Sequence, residues 1–140
     1  MTEIHNDHPA YPLMEHAADE LTTIDGRPLS EITLEAATSG ELSARDLQIS
    51  AETLHAQARI AHQSGYRQLA ANLTRAAELT VLSDKELLEM YEMLRPGRST
   101  FEDLGALAQK LESVYQAPEN ARFVRKAALV YRSRGLLRQD

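Results

Sequence analysis

The stretch from Arg75 to Thr100, RAAELTVLSDKELLEMYEMLRPGRST, decides the fold. It holds the end of one amphipathic helix, the whole of a second and the capped start of a third. Ser83-Asp-Lys-Glu86 has the form of a capping box, in which the hydroxyl satisfies an amide of the first turn and Glu86 reaches back to the cap. Leu87, Tyr91 and Leu94 then share a face. Pro96-Gly97 stops this helix after Arg95, because proline disfavours helical geometry in the residue before it. Ser99-Thr-Phe-Glu102 reads as a second capping box.

C-terminal to this stretch, Leu104, Leu107, Ala108, Leu111, Val114 and Tyr115 form the cleanest apolar stripe in the chain. Ala117-Pro118-Glu119 restarts a helix, with proline suited to its first turn, and Phe123, Val124, Ala127, Ala128 and Tyr131 follow before fraying near Gly135. N-terminal to it, Ser50 is an N-cap, and Leu54, Ala58 and Ala61 recur at helical spacing until Gly65 breaks the helix. Tyr66, Leu69, Leu73, Ala76 and Thr80 resume the period.

Residues 1–32 carry no sustained period. Pro9, Pro12 and Pro28 break helix, and Asp25-Gly26 marks a turn. Tyr11, Leu13, Met14, Leu21, Ile24, Leu29 and Ile32 are nonetheless too apolar for a disordered tail, so this arm needs a surface to lie on. Thr33 to Ser39 predicts a short helix capped by Thr33 and stopped at Gly40, and Ser43 to Leu47 a further turn. No stretch shows the period of two that strands require. The expected fold is all-α: an irregular arm over residues 1–49, then an open up-and-down bundle of about three to five helices over residues 50–140.

Composition fits. A hydrophobic fraction of 43% supplies a core, while 5% aromatics and no Trp leave the packing to Ala and Leu, which favours close helix–helix contact. The absence of Cys excludes disulfides, thiolate zinc sites and iron–sulfur clusters. No basic region followed by an apolar run reads as a secretory signal, and no apolar run reaches the roughly 18 residues of a membrane span, so a cytoplasmic protein with no membrane partner is expected. The net charge of −6 is uneven. Residues 1–25 hold Glu3, Asp7, Glu15, Asp19, Glu20 and Asp25 and no Lys or Arg; residues 120–139 hold Arg122, Arg125, Lys126, Arg132, Arg134 and Arg138 and no acid. The basic run lacks the interleaved aromatics of a nucleic-acid stacking platform, so both ends are expected to face protein instead.

No constellation for chemistry emerges, and no catalytic, cofactor-binding or metal-ligating residue is expected. His5, His8 and His16 share the arm, but Pro9 and Pro12 intervene and nothing fixes a ligand geometry. His55 and His62 lie two helical turns apart, about 10 Å, too far for one ion without other ligands. Glu102 and Asp103 are adjacent and so do not face each other; Glu89 and Glu92 share a face without a partner base. Met14, Met90 and Met93 are gap-fillers. No glycine-rich phosphate loop, nucleophile elbow or zinc-binding His pair is present. Arg75, Glu78, Arg95 and Arg98 flank the helix junctions. Two readings are open for them: intramolecular pairing, as of Arg75 with Glu78 or of Arg95 with a helix C-terminus, and polar anchoring of a partner.

Taken in order, several short motifs carry a family resemblance: Tyr11-Pro12-Leu13; Ile32-Thr-Leu-Glu35 with Ser39-Gly40; Ile49-Ser50 with Thr53-Leu54; Arg75-Ala-Ala-Glu-Leu79; and Tyr91, Leu94-Arg-Pro96 and Arg98-Ser-Thr100. Tyr115-x-Ala117, Ala121-x-Phe-Val-Arg125 and Tyr131 continue them. The chain resembles the small subunit of coenzyme-B12-dependent diol and glycerol dehydratases from about Tyr11 to Leu137. That resemblance implies three kinds of subunit with two copies of each. A large TIM-barrel subunit holds a 1,2-diol and a metal ion, and large and medium subunits together hold adenosylcobalamin. Radical dehydration of 1,2-propanediol or glycerol gives an aldehyde. The small subunit, by this resemblance, binds no cofactor, supplies no catalytic residue and packs on the large one. Ser83 stands where relatives often have Pro; both suit a helix start. Some relatives carry a longer N-terminal extension associated with bacterial microcompartments, whereas ten residues precede Tyr11 here, so the resemblance leaves open both a free cytoplasmic enzyme and one inside a microcompartment. The rival reading is a freestanding helical adaptor or regulator that binds through its basic C-terminal helix. An autonomous enzyme has the least support, having no nucleophile–base pair.

Overall fold

The computed structural model describes residues 11–139. Among them the fold is all-α: seven α-helices, three short 3-10 turns and a single isolated bridge between Thr22 and Pro28. The helices are α1 (Leu13–His16), α2 (Leu34–Ser39), α3 (Ala51–Gln63), α4 (Arg67–Leu79), α5 (Asp84–Met93), α6 (Phe101–Ser113) and α7 (Pro118–Arg134). By internal packing the chain forms two compact units, one up to Ala77 and one from Glu78 onward.

In the first unit the irregular arm folds onto its own chain. Leu13 and Ala17 are buried with Ala56 of α3, and Leu21 and Ile60 pack against them. The short elements form where their caps allow. Thr33 accepts from the Ala36 amide, and Gly40 ends α2 at φ 78°, a left-handed conformation that favours glycine. Ser43 and Asp46 make a reciprocal capping box around the turn Ala44–Leu47. Gly65, at φ 85°, separates α3 from α4 as its sequence implied.

The second unit holds the denser core. Met90 of α5, Leu104, Ala108 and Leu111 of α6, Ala117, and Ala121, Val124 and Ala128 of α7 are buried together. Leu79, Leu87, Leu107, Tyr115 and Tyr131 pack around them. Alanines dominate one side of this core and let α6 and α7 pack closely. The junction Arg95–Thr100 is tied to the C-terminal residues: Tyr131 donates to the Leu94 carbonyl (2.6 Å), Gly97 N–H to Leu136 O (2.8 Å) and Arg138 N–H to Ser99 O (2.8 Å).

Several expectations need correction. The second capping box uses Thr100 and Asp103, not Ser99 and Glu102. Ser99 is buried and donates to the Met93 carbonyl (2.7 Å), closing α5 instead of opening α6, and Glu102 is left exposed. Val114 leaves the α6 stripe, because it sits at the C-cap and is 64% exposed. On α4 the buried residues are Ala70 and Ala77, whereas Tyr66, Leu69, Ala76 and Thr80 lie exposed. Met14 is exposed, and of the three methionines only Met90 is buried.

The Ser83–Glu86 box of α5 carries a third partner: Tyr115 donates its hydroxyl to Glu86, whose other oxygen accepts from the Ser83 amide (3.0 Å) and hydroxyl (2.8 Å). The Tyr115 bond first, then the two from Ser83, lower the Glu86 carboxyl from the ordinary 4.5 to about 2. A depressed carboxylate stabilises the fold above its unfolded value and ceases to do so as pH falls through its folded one. Glu86→Gln is therefore expected to lower the thermal midpoint by a constant amount above about pH 5, with the gap to wild type closing between pH 4.5 and 2. Paired melts across that range check it; a gap that does not change with pH would mean the charge is irrelevant.

Candidate functional site

Two exposed features stand out, one polar and one apolar. The polar one is built on the end of α5. Glu92 holds two guanidinium groups at once, Arg95 at 2.9 Å and Arg98 at 3.0 Å. Arg95 and Arg98 are 62% and 56% exposed, so the pair adds little stability but fixes the direction of two cations. The hydrogen bond from Arg95, reinforced by both positive charges, holds the Glu92 carboxyl below the usual carboxylate range. Tyr91 and Leu88, both exposed, adjoin on the same helix.

The other two residues expected with them sit on α4. Arg75 donates to the Asn72 side chain one turn back. Glu78 has a role the sequence did not reveal. Its carboxylate accepts from the main-chain amides of Glu119 (3.0 Å) and Asn120 (2.9 Å) and from the Asn120 side-chain amide (2.8 Å). The first turn of α7 is thus capped from 41 residues away, because its own N-cap, Ala117, has no acceptor to offer.

The apolar feature belongs to the first unit. An open cleft of about 390 Å³ is lined by Tyr11, Gln57, Ile60, Ala61, Ser64, Tyr66, Leu69 and Leu73. Tyr11 and Tyr66 are 71% and 65% exposed. Met14, Leu34, Leu47 and Ile49 of the same unit are also largely exposed. Exposed apolar surface of this density marks interaction surfaces in soluble proteins.

The remaining candidates are dispersed. His16, His55 and His62 are exposed, while His5 and His8 lie outside the described residues. Among the described residues no three His, Asp or Glu side chains are grouped to hold a metal ion. Asp103 is occupied by its cap, and the backbone and side-chain hydrogen bonds of Thr100 hold its carboxyl below the usual range. The turn Asp25-Gly26-Arg27 positions Arg27 on Asp46 (3.5 Å) and on the Glu41 carbonyl (3.1 Å). On the basic helix α7, Arg122 pairs with Glu119 (2.7 Å), Arg125 pairs with Glu112 and Arg132 stacks over Phe101; beyond its end, Arg138 lies 3.5 Å from Asp103.

Comparison with known proteins decides among the readings. The family described as the dehydratase small subunit matches residues 6–138. The chain belongs to that family. It is 44% identical over 130 residues to the propanediol dehydratase small subunit of Citrobacter freundii, an alignment covering 93% of this chain and 76% of the relative. It is 45% identical over 130 residues to the propanediol dehydratase small subunit of Salmonella typhimurium strain LT2, covering 93% and 75%. The match runs through both compact units and across the Arg75–Thr100 junction. A dehydratase small subunit is one part of a larger enzyme, so this chain has partner subunits.

Proposed function

We propose that the chain is the non-catalytic small subunit of a cytoplasmic, coenzyme-B12-dependent dehydratase that converts a 1,2-diol, 1,2-propanediol or glycerol, to the corresponding aldehyde. The near-complete alignment with two propanediol dehydratase small subunits carries this reading. In the proposed assembly, two copies of each of three subunits associate. The large subunit binds the diol, large and medium subunits bind adenosylcobalamin, and no step of the chemistry is routed through this chain's side chains. Its contribution is surface: the arm over residues 1–49 lies against the large subunit and the body over residues 50–140 braces it. Tyr11, Tyr66 and Leu69, each more than half exposed, support that arrangement.

Arg75, Glu78, Arg95 and Arg98 are the proposed polar part of the interface. Arg95 and Arg98 make direct anchors, and Glu78 and Arg75 act through the helices they steady. The test is co-expression of a tagged chain with its genomic neighbours, followed by native mass spectrometry and a diol-to-aldehyde assay with and without adenosylcobalamin. Recovery of large and medium subunits with cofactor-dependent turnover supports the reading; recovery of this chain alone removes it. Within that complex, Arg95→Glu combined with Arg98→Glu is expected to weaken assembly by about tenfold or more, while shifting the chain's own stability by less than about 1 kcal/mol. Titration of the variant against the partner subunits measures it, and unchanged affinity would take these arginines out of the interface.

A further inference from the structure

The segment Tyr11–Gln63 excludes water less well than the second compact unit; the other buried alanines of the first unit, Ala70 at 7% and Ala77 at 1% exposed, lie on α4. From Tyr11 to Gln63 the buried apolar residues are Leu13, Ala17, Ala36, Leu54, Ala56, Ala58 and Ala61, and none is less than 6% exposed. From Glu78 onward the buried apolar residues are all at 4% or below, and Leu104, Leu111, Ala108, Ala117 and Ala121 are at 0%. The first segment is thus mostly alanine at its core, and burying an alanine methyl removes far less apolar area from water than burying a leucine.

Its local elements are correspondingly weak. α1 has four residues and α2 six, and helices so short are marginal unless packing holds them. Between them and α3 the chain is held chiefly by a polar clasp on Asp46, which accepts from the Ser43 amide (2.8 Å) and the Thr23 hydroxyl (3.2 Å) and lies 3.5 Å from Arg27 Nε. That Nε atom is buried and makes no hydrogen bond, so the clasp itself is incompletely satisfied. Yet the large apolar side chains that a better core would use are present in this segment and face outward: Tyr11, Met14, Leu34, Leu47 and Ile49 are 63–75% exposed.

We infer that the chain carries its stability in two tiers: the segment Tyr11–Gln63 opens locally while the helices from Asp84 to Arg134 stay closed, and it is fully ordered only when a partner subunit covers its outward apolar side chains. The second clause rests on the proposed role as a dehydratase small subunit; the first does not. Regions with few buried apolar contacts open at free energies well below global unfolding, and this segment meets that description while α6 and α7 do not.

Hydrogen exchange followed by mass spectrometry on the full-length chain, alone and in the co-purified complex, tests both clauses. In the isolated chain, amides of Leu54–Ala61 are expected to exchange about a hundredfold faster, corrected for intrinsic rate, than those of Leu104–Leu111. In the complex that ratio should fall by at least about tenfold. Equal protection of α3 and α6 in the isolated chain overturns the two tiers. A fast first tier that stays fast in the complex overturns ordering by a partner. Should no partner subunit be recovered, the subunit reading falls alone, because the exchange gradient of the isolated chain still decides the first clause.

Discussion

Leu111→Ala is expected to cost about 2–5 kcal/mol, in the upper part of that range. Leu111 is fully buried in a core it shares with Met90, Leu104, Val124 and four alanines, Ala108, Ala117, Ala121 and Ala128, with larger, partly buried side chains such as Leu107 and Tyr115 packed around it. The cost of a large-to-small change depends on how far the surroundings can relax into the space left behind. An alanine has no rotamer with which to fill a hole, and this core is rich in alanines. The cavity should therefore persist and the full penalty be felt. Total stability of a domain of this size is only about 5–15 kcal/mol, so the loss should lower the thermal midpoint by about 10 °C or more. Leu88→Ala is the control: 66% exposed on α5, it should change stability by less than about 0.5 kcal/mol. Urea unfolding of both variants measures the contrast, and a mild Leu111→Ala would mean the helices close up despite their alanines.

Much of this fold was legible in the sequence because its helix ends are written locally. Thr33, Ser50 and Ser83 cap the helices they were expected to cap, and Gly40, Gly65 and Gly135 end or separate them at positive φ. Where two local solutions compete, local reading fails. Ser99 with Glu102 and Thr100 with Asp103 are equally good boxes on paper; the choice is made by the burial of Ser99 and its bond to the Met93 carbonyl, a tertiary fact. The outward face of α4 misled for a different reason. Tyr66 and Leu69 have the spacing of a core stripe, but the chain alone does not bury them. Periodicity reports which residues are apolar on one face, not whether the cover for that face lies in the same chain. The pairing of the C-terminal basic residues was not legible either: Arg125 meets Glu112 and Arg138 meets Asp103, acids that precede the basic run and reach it only through the fold.

The least legible feature gives the second large prediction. Glu78→Ala is expected to destabilise the chain by about 2–4 kcal/mol, more than an ordinary cap, which is worth about 0.5–2 kcal/mol. Pro118 opens α7 without an N–H, so the next two amides, those of Glu119 and Asn120, are the ones that need acceptors, and Glu78 meets both. A carboxylate there also sits at the positive end of the helix dipole. Asn120 is 6% exposed, so water cannot readily replace the acceptor its amides lose. Glu78→Gln, which keeps one oxygen acceptor but no charge, should recover part of the loss. Asn120→Ala removes one of the three bonds and should couple to Glu78→Ala, the double variant costing less than the sum of the two. Urea midpoints at unchanged m-value give these energies. Because the bond joins the end of α4 to the start of α7, the same variant should also impair recovery of partner subunits. A Glu78→Ala chain within about 0.5 kcal/mol of wild type would show that the turn at Ala117 closes α7 unaided.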